Sequence, residues 1–241
     1  MRRMTTGLPE LDQLLGGGLV EGAVVLLAGG AGVGKSTLVM QALAGFASSS
    51  SDAAELALRR SIAAGDEDSR TIHRDYLLSR DGLGPPLAVT TEETLKYIAI
   101  RRQRLLASSI DIAAERNVQR MLALMETTQP RAVAVDSIHN MFCKNKGGHP
   151  GTPRQIEACS AQLSAYAKSK EIPLWITEYV TRPSNITQQL VYDADVVLEL
   201  GCAPGMGSSV RRIRVFKNRF GPCDAWKHVE LTTSGFVSYT R

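Results

Sequence analysis

Residues 26–41 read LLAGGAGVGKSTLVMQ. An apolar run from Val24 to Leu27 stops at a glycine-rich loop. The loop stops at Lys35, Ser36 and Thr37, and an apolar-periodic segment follows. The stretch fits G-x-x-x-x-G-K-[ST], with Gly29, Gly34, Lys35 and Ser36 in the fixed places and Gly30, Ala31, Gly32 and Val33 between them. The pattern works only where a strand, a tight loop and a helix follow one another. Glycines let backbone N–H groups turn inward around a phosphate with no Cβ in the way. The helix that follows points its N-terminal dipole at the same anion. In that geometry the Lys35 ammonium neutralises the terminal phosphates and the Ser36 hydroxyl ligates Mg²⁺. A glycine-rich turn with a chance lysine is the alternative, and the strand–loop–helix order argues against it.

The 241 residues suffice for one large α/β domain, taken as a single unit over 1–241. Apolar content of 44% and charged content of 22% are ordinary for a globular protein, and no apolar run approaches the length of a membrane span. The opening MRRMTTG has two arginines but no apolar stretch behind them, so it is not a secretory signal; an organelle-targeting peptide would have to lie upstream. Cys143, Cys159, Cys202 and Cys223 form no C-x-x-C pair, which excludes zinc-finger spacing. They read as buried or idle thiols of a reducing compartment, the cytoplasm first and an organelle matrix second. The net charge of +4 permits an acidic partner such as nucleic acid without demanding one.

Along the chain, residues 35–47 read as a helix. Residues 48–86 open with a serine run and close with glycine and proline, an inserted surface excursion with a helical part around 53–64. A strand at 87–90 leads into a helix from about 92, and NVQRMLALMETTQ is a second, amphipathic helix. RAVAVDSI is a buried strand ending in an acid. RQIEACSAQLSAYAKSK is a helix before the strand IPLWIT. From about 194 the chain reads as strands: ADVVLEL, RRIRVFK, KHVEL and GFVSY. Alternating strands and helices, then an all-strand tail, imply a mostly parallel sheet flanked by helices and extended by antiparallel strands. Ligands of such sheets bind at the carboxyl ends of the strands.

Candidate chemical groups fall at strand ends. Asp136 closes AVAVD, where an acid is either a cap or, with the phosphate loop upstream, a holder of Mg²⁺ beside Ser36. Glu92 and Glu93 follow the neighbouring strand. One of them can orient a water as general base, while Thr90 and Glu93 have the spacing of a capping box, with Glu92 left to face the nucleotide. KNRFG, Lys217 to Gly221, is either a solvated tip or a pair of cations that reaches the phosphate of an adjacent subunit.

Taken together, TTGLPELDQLLGGGL, the phosphate loop, TTEET, VDSI, PGTPRQIEACSAQL and KNRFG resemble the RecA-like ATPases, and within them the RadA (Sms) branch of DNA repair and recombination ATPases. The resemblance covers about residues 5–47 and 85–239. Its opening piece is shared with KaiC-like ATPases; KNRFG together with PGTPRQIE is more specific. It implies a DNA-dependent ATPase working as a ring of subunits, expected as a hexamer, with ATP and Mg²⁺ at each interface. Lys35, Ser36 and Asp136 would serve the subunit's own nucleotide, Glu92 would activate water, and Lys217 and Arg219 would reach the neighbour's site. Single-stranded DNA would thread the ring, held by loops at about 141–153 and 181–190. The first loop carries Lys144, Lys146, His149 and Arg154, cations suited to DNA phosphates.

The chain departs from that branch in several places. The branch carries a four-cysteine zinc finger and a Lon-protease-like domain, neither of which is found in these 241 residues, so an ATPase core is what is expected. The branch's GHVTK reads EYVTR here, with Tyr179 in the histidine place, and the second DNA loop lacks the branch's Gly and Lys. The excursion at 48–86 has no counterpart. Two other readings compete: a KaiC-like signalling ATPase or kinase, and a non-catalytic nucleotide-binding assembly module.

Overall fold

The computed structural model describes residues 2–48, 83–181 and 185–240. A small N-terminal unit pairs β1 (Arg3–Met4) antiparallel with β2 (Leu19–Val20) around α1 (Pro9–Leu14). The main chain path then runs β3 (Val24–Gly29), α2 (Lys35–Ser48), β4 (Leu87–Thr90), α3 (Leu95–Arg104), β5 (Asp111–Ala114), α4 (Val118–Thr128) and β6 (Val133–Asp136). After a 3-10 turn at Ile138–Asn140 come α5 (Pro153–Ser169), β7 (Leu174–Tyr179) and α6 (Gln188–Asp193). Four strands finish the sheet: β8 (Val196–Cys202), β9 (Val210–Asn218), β10 (Trp226–Thr232) and β11 (Gly235–Ser238). The expected helix at 53–64 lies outside the described residues.

The strand order is β11-β10-β9-β8-β3-β7-β6-β4-β5. β5, β4, β6, β7, β3 and β8 are mutually parallel, and β9 to β11 add antiparallel at one edge, as the sequence pattern implies. The central strands are apolar on both sides because helices cover both. On one face α1, α2 and Ile98 of α3 pack on Val25, Leu27, Trp175, Val196 and Leu198. On the other, α4, α5 and α6 pack on Val24, Leu26, Val133, Val135, Leu174 and Ile176. A leucine buried as fully as Leu27 contributes about 1.5–3 kcal/mol relative to exposure. This double burial makes the sheet a rigid frame, with every parallel strand releasing its loop at the same edge.

Two element boundaries differ from the sequence reading, each for a local reason. α3 begins at Leu95, not near 92. Residues 91–93 are instead tied to the end of β6: the Thr91 hydroxyl donates to Ser137 O at 2.7 Å, and the Ser137 hydroxyl donates to Glu92 Oε1. The capping box is half present. Thr90 Oγ1 accepts from Glu93 N at 2.9 Å, but the Glu93 carboxylate takes both terminal nitrogens of Arg101, at 2.7 Å each. The second expected loop, 181–190, ends early, since α6 starts at Gln188. β5 went unread: four residues on the sheet's edge, with only Ile112 and Ala113 partly buried, carry little pattern.

Candidate functional site

The phosphate loop connects β3 to α2. Gly34 has φ +108, a conformation that favours glycine, and a Cβ there would stand 2.8 Å from the Phe236 ring. At Gly29 a Cβ would meet Leu200 O at 2.4 Å, because β8 pairs directly beside it. These two glycines therefore fix the closeness of the loop to the sheet as well as its curl. Lys35 Nζ donates to Gly29 O at 2.9 Å and Gly30 O at 2.8 Å, and stands 5.7 Å from the centre of the Tyr179 ring. Burial pushes its pKa below that of an ordinary lysine, while Asp136 and Glu92 pull it back up. The loop cation and the two carboxylates named from sequence thus act on one another.

Asp136 ends β6, with β7 between it and β3. Thr177 on that intervening strand donates to Asp136 Oδ1 at 2.6 Å, which fixes the carboxylate toward the loop side. The Ser36 hydroxyl and the Asp136 carboxylate offer hard oxygen atoms of the kind a divalent cation takes, and Mg²⁺ characteristically completes so small a set with phosphate oxygens and waters. Glu92 and Glu93 divide as the sequence allowed. Glu93 is committed to Arg101, whereas Glu92 is exposed and, among the described residues, its carboxylate accepts from the Ser137 hydroxyl.

A cavity of about 520 Å³ lies against Gly32, Gly34 to Thr37 and Glu93, within the range of small-molecule pockets. Its walls include groups that sequence reasoning missed: Arg101 and Arg104 of α3, and Thr232 and Thr233 before β11. Arg104 also donates to Thr37 Oγ1 at 3.4 Å. The run IRRQR, starting seven residues after Glu93, was the available signal for the two arginines. Thr232 and Thr233 had none, since only the antiparallel return of β10 brings them over the loop.

Lys217 and Arg219 lie elsewhere. Val25 pairs with Val196, and Val196 with Asn218; Gly29 pairs with Leu200. The KNRFG turn is therefore at the start of the parallel strands, four residues, or about 13 Å at 3.3 Å per residue, from the loop end. Lys217 donates to the carbonyls at the end of α6, and Arg219 pairs with Asp195 at 3.0 Å. Sheet direction separates these cations from the subunit's own phosphate loop.

The first basic loop leaves the same edge as Asp136. Lys144, Lys146, His149 and Arg154 are all exposed. The loop is built on buried Gln155, whose Oε1 accepts from Cys143 N at 2.7 Å and whose Nε2 donates to Lys146 O at 2.7 Å. Residues 182–184 of the second loop are outside the described residues. Among the described residues, no helix is long and apolar enough to cross a membrane.

Comparison with known proteins agrees with this architecture. The crystal structure of the RadB recombinase superposes with a TM-score of 0.67 at 18% identity, covering 98% of this chain and 100% of that one. A KaiC-like protein of Pyrococcus horikoshii gives 0.69 at 19% identity, with 99% of each chain covered. The fold is RecA-like on both counts. DNA repair protein RadA of Pseudomonas aeruginosa is 30% identical over 98% of this chain and 45% of its own length. RadA of Mycobacterium tuberculosis is 33% identical over 92% of this chain and 40% of its own. The chain thus spans less than half the length of these curated relatives. A family model described as "ATPase: KaiC" matches residues 4–237. By that match, which takes in nearly all of the nine-stranded sheet and the whole phosphate loop, the chain belongs to the KaiC family of ATPases, and ATP hydrolysis is its chemistry.

Proposed function

We propose that the chain is the ATPase core of a DNA repair or recombination motor, hydrolysing ATP with Mg²⁺ at the interfaces of a homo-oligomeric ring, expected as a hexamer, that acts on single-stranded DNA in the cytoplasm. The observation that carries this reading is the division of the site. The phosphate loop, Asp136 and Glu92 sit at one end of the parallel strands, and the cations of KNRFG sit at the other. A subunit cannot bring both to one nucleotide, so the full set needs a second copy placed head to tail. The names and similarity of the RadA relatives support the DNA role, as does the exposed basic loop around Lys144 and Lys146.

In this reading the backbone of residues 29–34 and the α2 N-terminus hold the phosphates, and Lys35 leaves its two carbonyls to meet them. Ser36 and Asp136 hold Mg²⁺, which neutralises charge on the phosphoryl group. Glu92 orients the attacking water, with Ser137 fixing its carboxylate. Arg101 and Arg104 wall the nucleotide from the α3 side. Lys217 and Arg219 serve the nucleotide of the next subunit. The test is ATP turnover per subunit, measured with and without a single-stranded oligonucleotide across a wide range of protein concentration. A rise with both supports the reading, and a rate independent of both defeats it. A KaiC-like kinase is the second reading, favoured by the family match; transfer of the γ-phosphoryl group to the protein itself would mark it.

A further inference from the structure

The basic loop is rooted on two cysteines that the nucleotide site does not use. Cys143 lies at the start of the loop and Cys159 in the middle of α5; they are 2% and 0% exposed. Gln155, Cys159 and Gln162 are spaced by four and then three residues, so they share one face of α5. Gln155 Oε1 accepts from Cys143 N at 2.7 Å, and Gln162 Nε2 donates to Cys143 Sγ at 3.2 Å. Cys159 stands between these two contacts on the same face, which sets its thiol beside that of Cys143. Gln119 of α4 closes the other side, its Nε2 donating to the same Sγ at 3.0 Å.

The surroundings divide the two thiols chemically. Burial pushes the Cys143 pKa up, but hydrogen bonds from Gln162, Gln119 and the Asn145 backbone, with Lys146 nearby, outweigh it and hold the pKa below that of an ordinary thiol. Burial, and then the nearness of Cys143, push the Cys159 thiol up to about 12. Amide N–H groups aimed at a sulfur favour its thiolate, the form that attacks electrophiles. A core cysteine that only filled space would need neither glutamine. A thiolate beside a protonated thiol is the arrangement of an attacking and a resolving cysteine.

We propose that Cys143 and Cys159 are an oxidation site, converted by hydrogen peroxide or an organic hydroperoxide into a disulfide that displaces the basic loop. The Cys143 thiolate attacks one peroxide oxygen: an S–O bond forms, the O–O bond breaks, and the far oxygen leaves as hydroxide or alkoxide. The Cys159 sulfur then attacks the Cys143 sulfur: the S–S bond forms, the S–O bond breaks, and the leaving hydroxide takes the Cys159 proton as water. The two sulfurs are oxidised by one electron each, and the peroxide takes both electrons. Both thiols are buried, so the peroxide reaches Cys143 when the loop lifts locally from α5. The sulfurs close to about 2.05 Å in the product, and a loop residue yields more readily than the middle of a 17-residue helix. Cys143 therefore moves, leaves the three glutamines that seat it, and carries Lys144 and Lys146 with it.

The test treats the full chain with hydrogen peroxide and maps it by mass spectrometry without reduction. Wild type should lose the mass of two hydrogens and yield one linked pair of peptides carrying Cys143 and Cys159, with dithiothreitol reversing both. Cys159→Ala should stop at a sulfenic acid on Cys143, captured by dimedone, and Cys143→Ser should give neither product. Gln119→Met keeps the volume and removes an amide donor, and should slow the reaction about threefold or more. Trypsin cleavage after Lys144 and Lys146 should quicken on oxidation, because the loop has lost its seat. Oxidation confined to Cys202 or Cys223, which are exposed, overturns the proposal, as does a linked protein whose loop is cleaved at the reduced rate. On the reading that this loop contacts single-stranded DNA, the linked protein should also bind an oligonucleotide about tenfold less tightly than the reduced protein. Reduced protein with no affinity for the oligonucleotide removes that reading, while linkage and cleavage still decide the thiol pair.

Discussion

Lys35 closes onto Gly29 O and Gly30 O and lies beside Tyr179. A phosphate must exchange those two neutral acceptors for anionic ones, which charge favours. Lys35→Ala removes the cation that the loop supplies in cis, so turnover should fall by orders of magnitude with little change in melting temperature; an unaltered ATPase rate would contradict the site. The two glutamates permit a finer test. Glu92→Gln should bind ATP normally and hydrolyse it poorly, because it loses the charge that orients water. Glu93→Gln gives up a partly exposed pair with Arg101, about 1 kcal/mol or less, and should retain most turnover. Equal losses in both would show the roles to be misassigned. From sequence Glu93 was expected in the cap and Glu92 toward the nucleotide, although i and i+1 at a strand end differ only in what each meets. In the fold Glu93 pairs with Arg101 on the cavity wall, and Glu92 meets the Ser137 hydroxyl. The place of Asp136 at the end of β6 was legible, since an apolar run that stops at an acid marks where a buried strand leaves the sheet.

At the level of elements, long apolar patterns were readable and short segments were not. β3 and β6 are buried on both faces and are apolar up to Gly29 and Asp136, and β7 opens on the apolar run Leu174 to Ile176. α6 is six residues with only Leu190 buried, and it hid inside a stretch taken for loop. Its position depends on Glu178, which no pattern singled out. Burial raises the Glu178 pKa above that of an ordinary carboxyl, against the bonds from Thr187 and the nearness of His139, which lower it. A raised native pKa means that the protonated form is favoured by the fold. Its stabilisation is present at acid pH and lost as pH rises through the native pKa. Glu178→Gln keeps an acceptor for Thr187 without the charge. Its melting temperature should match wild type at acid pH and exceed it above the ordinary carboxylate range, about 4.3 and upward; thermal scans across pH would show the crossing or its absence. The first basic loop has a separate test. Lys144 and Lys146 are exposed and outside the nucleotide cavity. Replacing both with Gln should weaken single-strand binding and flatten its salt dependence by about 1.4 in log–log slope, at about 0.7 per lost charge. Basal ATPase should be intact. Wild-type protein with no salt-sensitive DNA affinity would favour a nucleotide-driven assembly module instead.

The whole molecule is polar in the geometric sense: its parallel strands all point from the KNRFG end to the phosphate-loop end. Two surfaces at opposite ends of one frame can meet on different copies, and where that pairing is head to tail it gives rings or filaments. A finger supplied in trans is worth on the order of 10³–10⁵ in turnover in the NTPases where it is measured. Arg219→Ala should therefore nearly abolish hydrolysis while leaving nucleotide binding in place. The loss belongs to an interface, so it should be partly repaired by another defective subunit. In a 1:1 mixture of Arg219→Ala and Lys35→Ala subunits, about a quarter of random head-to-tail interfaces join an intact loop to an intact Arg219. Turnover should rise well above that of either variant alone, and more at high protein concentration than at low. The wild type should show the same dependence, its rate per subunit climbing until assembly is complete. Mixtures that never complement, together with a wild-type rate per subunit flat from dilute to concentrated protein, would place all catalysis within one subunit and leave Arg219 as no more than the partner that secures Asp195 at the foot of β3.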